Sequence, residues 1–139
     1  MRFVDTNVLI YAVLDHPHDT VKRTRARSLL MQRGLTLSTQ VVNEFYTQVT
    51  RPTRRAALPP EDAWDWIASL ALRFPVQEIS FEVCQRAWHT HRVSNIAYWD
   101  SLVIEAAREA GCAVVLSEDL SHGQDYGGVR VENPFLSGA

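Results

Sequence analysis

Short apolar runs with little two-residue alternation recur along this chain, and stretches with helical spacing separate them. Runs of that kind suit strands buried on both faces, so they predict an α/β fold: a mostly parallel sheet covered by helices on both sides. Residues 2–5 form the first such run, 35–38 the second and 76–79 the third. Residues 113–116 are the clearest, and 127–131 read as a final edge strand. Between them, Thr6-Asn7 can cap a helix through residues 8–14. A basic helix over 18–32 turns Val21, Ala26, Leu29 and Leu30 inward, with Gly34 in the C-terminal cap position. Ser38-Thr39 offers an N-cap for a helix over 41–50, and Glu61-Asp62 place negative charge in the first turn of a helix that contains Trp64, Ile67 and Leu70 and stops at Pro75. Residues 81–91 and 95–110 complete the set, the latter ending at Gly111.

The 139 residues suffice for one domain over 1–139 and leave no room for a second core. The longest uninterrupted apolar run, residues 8–14, falls far short of the roughly 18 residues of a membrane span. Asp5 interrupts any secretory apolar region after Met1-Arg2, which predicts a cytoplasmic protein. Cys84 and Cys112 form no metal-binding pattern and read as two buried thiols.

Charge is unevenly distributed. Between Thr20 and Pro60 lie Lys22, Arg23, Arg25, Arg27, Arg33, Arg51, Arg54 and Arg55 against the single acid Glu44, a balance of +7; the remaining six basic and fifteen acidic residues give −9. A basic stretch in an acidic domain suits a polyanion such as nucleic acid, or an acidic partner, although a solvated helix face accounts for it equally well.

In parallel sheets ligands bind at the carboxyl ends of strands where strand order reverses. Asp5 closes the first strand, and Asp119 lies just past residues 113–116. Glu44 falls on the helix after the second strand, and Asp100 beside the apolar stripe of Leu102, Val103, Ile104, Ala106 and Ala107. Singly, each has an ordinary role: Asp5 as a helix cap, Glu44 on a solvated face, Asp100 as partner of an arginine, Asp119 as a turn former before Ser121-His122-Gly123. Together, four acids from four segments point to one sheet edge, where a hard divalent ion turns mutual repulsion into coordination. An all-oxygen set favours Mg²⁺ or Mn²⁺ over zinc. The pairs His16/His18 and His89/His91 sit two apart and diverge on a helix; His122 lies near Asp119.

Phe3-Val-Asp5-Thr-Asn-Val-Leu-Ile10, Asn43-Glu44-Phe45, Tyr98-Trp-Asp100-Ser-Leu-Val-Ile-Glu-Ala-Ala107 and Val115-Leu-Ser117-Glu-Asp119 resemble, in order and separation, the acidic motifs of PIN-domain ribonucleases. The closing Asp119-Leu120, Gly123-Gln124 and Asn133-Pro-Phe135 are similar to VapC-type toxins of type II toxin-antitoxin systems. The resemblance covers essentially the whole chain. It implies a three-layer α/β sandwich around a five-stranded parallel sheet, and a Mg²⁺-dependent endoribonuclease (Mn²⁺ as substitute) that leaves 5′-phosphate and 3′-hydroxyl ends. It assigns Asp5, Glu44, Asp100 and Asp119 to catalysis. Asp5, Asp100 and Asp119 would hold metal, Glu44 would bind it through water or orient the attacking water, and Thr6, Asn7 and Ser117 would hydrogen-bond the carboxylates. Arg51, Arg54 and Arg55 would contact RNA phosphates. It further implies a homodimer and a small antitoxin partner, for which the region around Trp64, Trp66 and Leu70 is a candidate docking surface.

Other readings fit less well. Aspartyl-phosphate-forming phosphatases place a second Asp two positions after the first, where this chain has Asn7. A receiver domain needs a lysine near the last strand, but Lys22 is the only lysine. No Gly-rich turn follows the first strand, as a dinucleotide site requires. A catalytically silent PIN-like module that binds RNA or protein remains the alternative, against which stands the presence of all four acids.

Overall fold

A computed structural model describes residues 1–136; the last three residues of the expected 1–139 domain lie outside the described residues. The elements run β1 (Arg2–Val4), α1 (Thr6–Val13), α2 (Thr20–Leu30), β2 (Leu35–Ser38), α3 (Thr39–Val49), α4 (Pro60–Arg73), β3 (Val76–Gln77), α5 (Phe81–Ser94), α6 (Tyr98–Glu109), β4 (Val114–Leu116) and β5 (Arg130–Glu132). The five strands are ordered β3-β2-β1-β4-β5, and every neighbouring pair is parallel. The expected α/β architecture is therefore present.

The chain steps from β1 outward through β2 to β3, then returns past β1 to lay down β4 and β5. Right-handed crossovers made in opposite directions place their helices on opposite faces of the sheet. Accordingly α1 packs on α2 and α3, and α3 on α4, while α5 and α6 pack on each other. Phe3, Val4, Leu37, Val115 and Leu116 are buried in the central strands, which explains why these runs lack alternation. The reversal of strand order falls between β1 and β4, and their carboxyl ends define a crevice.

Several boundaries differ from the sequence expectation for local reasons. Asn95 adopts a left-handed conformation (φ 54°) and caps α5, which therefore runs on to Ser94. Its amide tolerates that region better than most side chains, and α6 starts only at Tyr98, so residues 95–97 are not helical. Gly127 and Gly128 both take positive φ, and the turn they make delays the last strand to Arg130. Met31, not Gly34, is the cap of α2. Cys84 is half-buried, so only Cys112 fits the expectation of a buried thiol.

The basic segment is largely committed to structure. Lys22 pairs with Glu118 and Arg23 with Asp15, Arg25 donates to the Pro134 carbonyl and Arg27 to that of Ala12. On α4, Leu70 belongs to the core and Trp66 packs partly against it, leaving Trp64 as the exposed member of the expected docking surface. No helix of the described residues is long and apolar enough to cross a membrane.

Across α5 and α6, the Glu105 carboxylate is 2% exposed as a residue and accepts from Arg108 Nε (2.9 Å) and Thr90 Oγ1 (2.8 Å). Arg108 also holds the Tyr126 and Gly127 carbonyls, tying the turn before β5 to α6. Removing one partner of a buried pair leaves the other uncompensated. Glu105→Ala is expected to destabilise the fold by about 2–4 kcal/mol in urea denaturation, against at most about 0.5 kcal/mol for Glu109→Ala on the surface. Equal effects of the two would contradict this assignment.

Candidate active site

β1 ends at Val4, and the Asp5 amide continues the ladder by donating to the Leu116 carbonyl at the end of β4 (3.0 Å). That fixes Asp5 at the carboxyl edge of the two central strands, where it is 5% exposed and serves as N-cap of α1. Its Oδ1 accepts from the Thr6 amide (2.8 Å), and its Oδ2 accepts from Ser117 Oγ (2.7 Å) and Asn7 Nδ2 (3.3 Å). Burial pushes the carboxyl up to about 6 despite the opposing hydrogen bonds from Ser117 and Thr6, and the negative charges of Asp119 and Glu44 push it in the same direction.

Ser117 follows β4, its amide bound to the Glu132 carbonyl of β5. Its hydroxyl donates to Asp5 and accepts from the Asp119 amide (3.1 Å), which turns the chain so that Asp119 returns to the crevice. Asn7, in the first turn of α1, takes the Glu118 amide on Oδ1 (3.1 Å). Its Nδ2 therefore faces the acids, within reach of Asp5 Oδ2 and Asp119 Oδ2 (3.2 Å). Glu118, between Ser117 and Asp119, turns away to Lys22 and Tyr11.

α3 follows β2, so its N-terminal half rises from the same edge; α6 precedes β4, so its first turn lies there as well. Glu44 on α3 accepts from Thr6 Oγ1 (3.0 Å) and Gln40 Nε2 (2.8 Å). Gln40 Nε2 also donates to the Trp99 carbonyl (3.1 Å) and so ties α3 to the start of α6. Asp100, the third residue of α6, is half-buried; burial raises its pKa first, then the charges of Asp119 and Glu44.

The structure thus links Asp5, Glu44 and Asp119 through Thr6, Asn7 and Ser117, and brings Asp100 within electrostatic reach of Glu44 and Asp119 without a shared hydrogen bond. Among the described residues no Lys, Arg or His forms an ion pair with any of the four. No three Asp, Glu, His or Cys side chains among the described residues stand close enough, as placed, to hold one ion. The donor set consists of hard carboxylate oxygens lacking any counter-charge, one of them buried at a cost, and in chemical character it suits a hard divalent cation.

The three arginines diverge. Arg51 and Arg55 are exposed, whereas Arg54 is half-buried, bonded to Gln48 Oε1 (3.1 Å), and lines a groove of about 260 Å³ together with Asn7, Tyr11 and Asp119. His122 takes the Asn133 amide on Nδ1 (3.0 Å) and braces the chain after β5. Sequence reasoning missed Gln40 and Trp99. The i,i+4 spacing of Gln40 and Glu44 signals the first; nothing in the sequence marks the second beyond its place before Asp100.

The sequence pattern of the PIN domain is matched over residues 2–123, and the chain belongs to that family. Among curated proteins none matches in sequence. Among solved structures, the chain is similar to VapC20 of Mycobacterium tuberculosis, described as a sarcin-ricin loop cleaving toxin, with 16% identity, TM-score 0.66, and coverage of 86% of this chain and 92% of that one. A toxin-antitoxin complex from Klebsiella pneumoniae aligns at 14% identity and TM-score 0.69, covering 97% and 98%. DNA-bound VapBC from Salmonella typhimurium aligns at 17% and 0.65, covering 96% and 97%. Likeness at these identities concerns the fold.

The raised pKa of Asp5 has a defined sign. Between the ordinary value of 3.8 and about 6 the folded chain holds a proton that the unfolded chain has released, so stability falls as pH rises through that window. Metal-free wild type is expected to lose on the order of 1–3 kcal/mol more than Asp5→Asn between pH 4 and pH 7, read from urea denaturation in EDTA. Parallel profiles would show that Asp5 is not the titrating group.

Proposed function

We propose that this PIN domain is a divalent-metal-dependent endoribonuclease and the toxin of a VapBC-type pair. The observation that supports the reading is that Asp5, Glu44 and Asp119 are linked through Thr6, Asn7 and Ser117 at the reversal point of the sheet, with Asp100 within electrostatic reach of Glu44 and Asp119, and that no Lys, Arg or His among the described residues forms an ion pair with any of them. Asp5 and Asp100 serve as principal ligands of Mg²⁺ or Mn²⁺, Asp119 as a further direct or water-mediated ligand, and Glu44 as a ligand through water or the group that orients the attacking water. A divalent ion held there supplies a Lewis acid that activates water and stabilises the leaving 3′-oxygen.

The chain's own groups prepare that chemistry. Ser117 Oγ and the Thr6 amide offset part of the cost of burying the Asp5 carboxylate, Asn7 Nδ2 orients it, and Thr6 Oγ1 aims Glu44 at the same crevice. Arg54, in the groove beside Asp119, contacts a substrate phosphate, with the exposed Arg51 and Arg55 adding charge that makes affinity salt-sensitive. The likeness to structures of toxin-antitoxin complexes supports a small antitoxin as partner, and the family resemblance supports a homodimer.

Labelled RNA should be cut internally with Mg²⁺ or Mn²⁺ to give 5′-phosphate and 3′-hydroxyl ends. EDTA and Asp5→Asn should abolish cleavage, Ser117→Ala should reduce it about 10- to 100-fold, and RNA binding should survive Asp5→Asn. Cleavage that persists in EDTA, or RNA bound but never cut with either metal, would overturn the reading; the latter result favours a binding module. Turnover of a small phosphate ester with RNA left intact would point to a phosphatase.

A further inference from the structure

A cleft of about 540 Å³ opens between α3 and α6 beside the carboxylates. Gln40, Asn43 and Glu44 line it from α3, Ile79 from the segment after β3, and Trp99 and Leu102 from α6. Trp99 is 65% exposed even though its neighbour Asp100 belongs to the acidic site, so an indole surface stands in water next to that site. Gln40 Nε2 fixes the Trp99 carbonyl and the Glu44 carboxylate at once, which locks the indole's backbone to the acid.

We propose that this cleft receives one unpaired nucleobase of the RNA, stacked on Trp99 and next to the scissile phosphate. The proposal rests on the ribonuclease reading above. Three features select a base over other occupants. No lysine or arginine lines the cleft, so it offers a phosphate no counter-charge, and Glu44 repels a phosphate or an acidic side chain. Its walls combine an indole and aliphatic groups with the exposed amide of Asn43, which makes no hydrogen bond among the described residues and can both donate to and accept from a base edge. It is continuous with the catalytic acids through Glu44, so a base seated there leaves its own phosphate at the carboxylates. Stacking of splayed-out bases on aromatic side chains is the usual basis for sequence-selective reading of single-stranded RNA. Trp99 thereby becomes a specificity-determining residue for the reaction.

The test uses the full chain with Mn²⁺ and an RNA whose cleavage site has been mapped, together with the same strand made abasic at each nucleotide flanking that site. On the intact strand, Trp99→Ala is expected to raise KM about tenfold with kcat within about twofold, while Trp99→Phe retains most of the affinity. On one of the abasic strands wild type should lose affinity to the same extent, and Trp99→Ala should lose nothing further. Trp88→Ala, which removes a comparably exposed indole from α5, should behave as wild type. Unchanged kinetics for Trp99→Ala, or an equal loss on intact and abasic strands, overturns the proposal while leaving the ribonuclease reading intact. The same holds if Trp99→Ala weakens only capture of the antitoxin. A wild type that cleaves no RNA overturns both.

Discussion

Asp5 carries its negative charge into the base of a crevice where water scarcely reaches it, and a charge so placed demands compensation. Hydrogen bonds supply part of it: two backbone amides, of Thr6 and Asp119, and two side chains, Asn7 and Ser117, contributed by α1 and the segment after β4, converge on this one carboxylate or on the hydroxyl that holds it. They do not cancel the cost, since the pKa still settles near 6. A chain evolved for stability alone would place Asn or an arginine partner here. The retained penalty, shared with Asp100, is understandable if the crevice is built for a cation that arrives from solution.

Topology makes the convergence possible. Because β1 and β4 lie side by side where strand order reverses, residues 112 positions apart in sequence, Asp5 and Ser117, become hydrogen-bond partners. The two helices that bring Glu44 and Asp100 point their N-terminal turns at the same edge. The partial positive ends of α1 at Asp5 and of α6 at Asp100 offset some of the repulsion among the acids. The buried Glu105, though it lies in the same motif as Asp100, sits five residues further along α6 and serves the packing of α5 against it.

The sequence made the sheet legible because doubly buried strands are apolar without alternation, and it made Asp5 and Asp119 legible because both stand at strand ends. Glu44 and Asp100 followed from helical phase and from the apolar neighbours of Asp100. What it concealed depended on partners distant in the chain. Lys22, Arg23, Arg25 and Arg27 read as a free basic face, yet Glu118, Asp15, Pro134 and Ala12 take them up. Arg54 was one of three loop arginines until folding set it in the groove with Asp119. Gln40 was hidden for the same reason, since half of its role is to hold a carbonyl 59 residues away. Local backbone chemistry accounts for the shifted boundaries at Asn95 and at Gly127-Gly128.

If these carboxylates form a cation site, an ion bound there can be located crystallographically. Crystals soaked in Mn²⁺ should give an anomalous peak in the crevice with carboxylate oxygens of Asp5 and Asp100 at about 2.1–2.3 Å, the Asp100 and Asp119 side chains having drawn inward. The peak should vanish in Asp5→Asn crystals. A map in which Mn²⁺ binds only elsewhere, with the four carboxylates still apart, would show that the crevice is not a cation site.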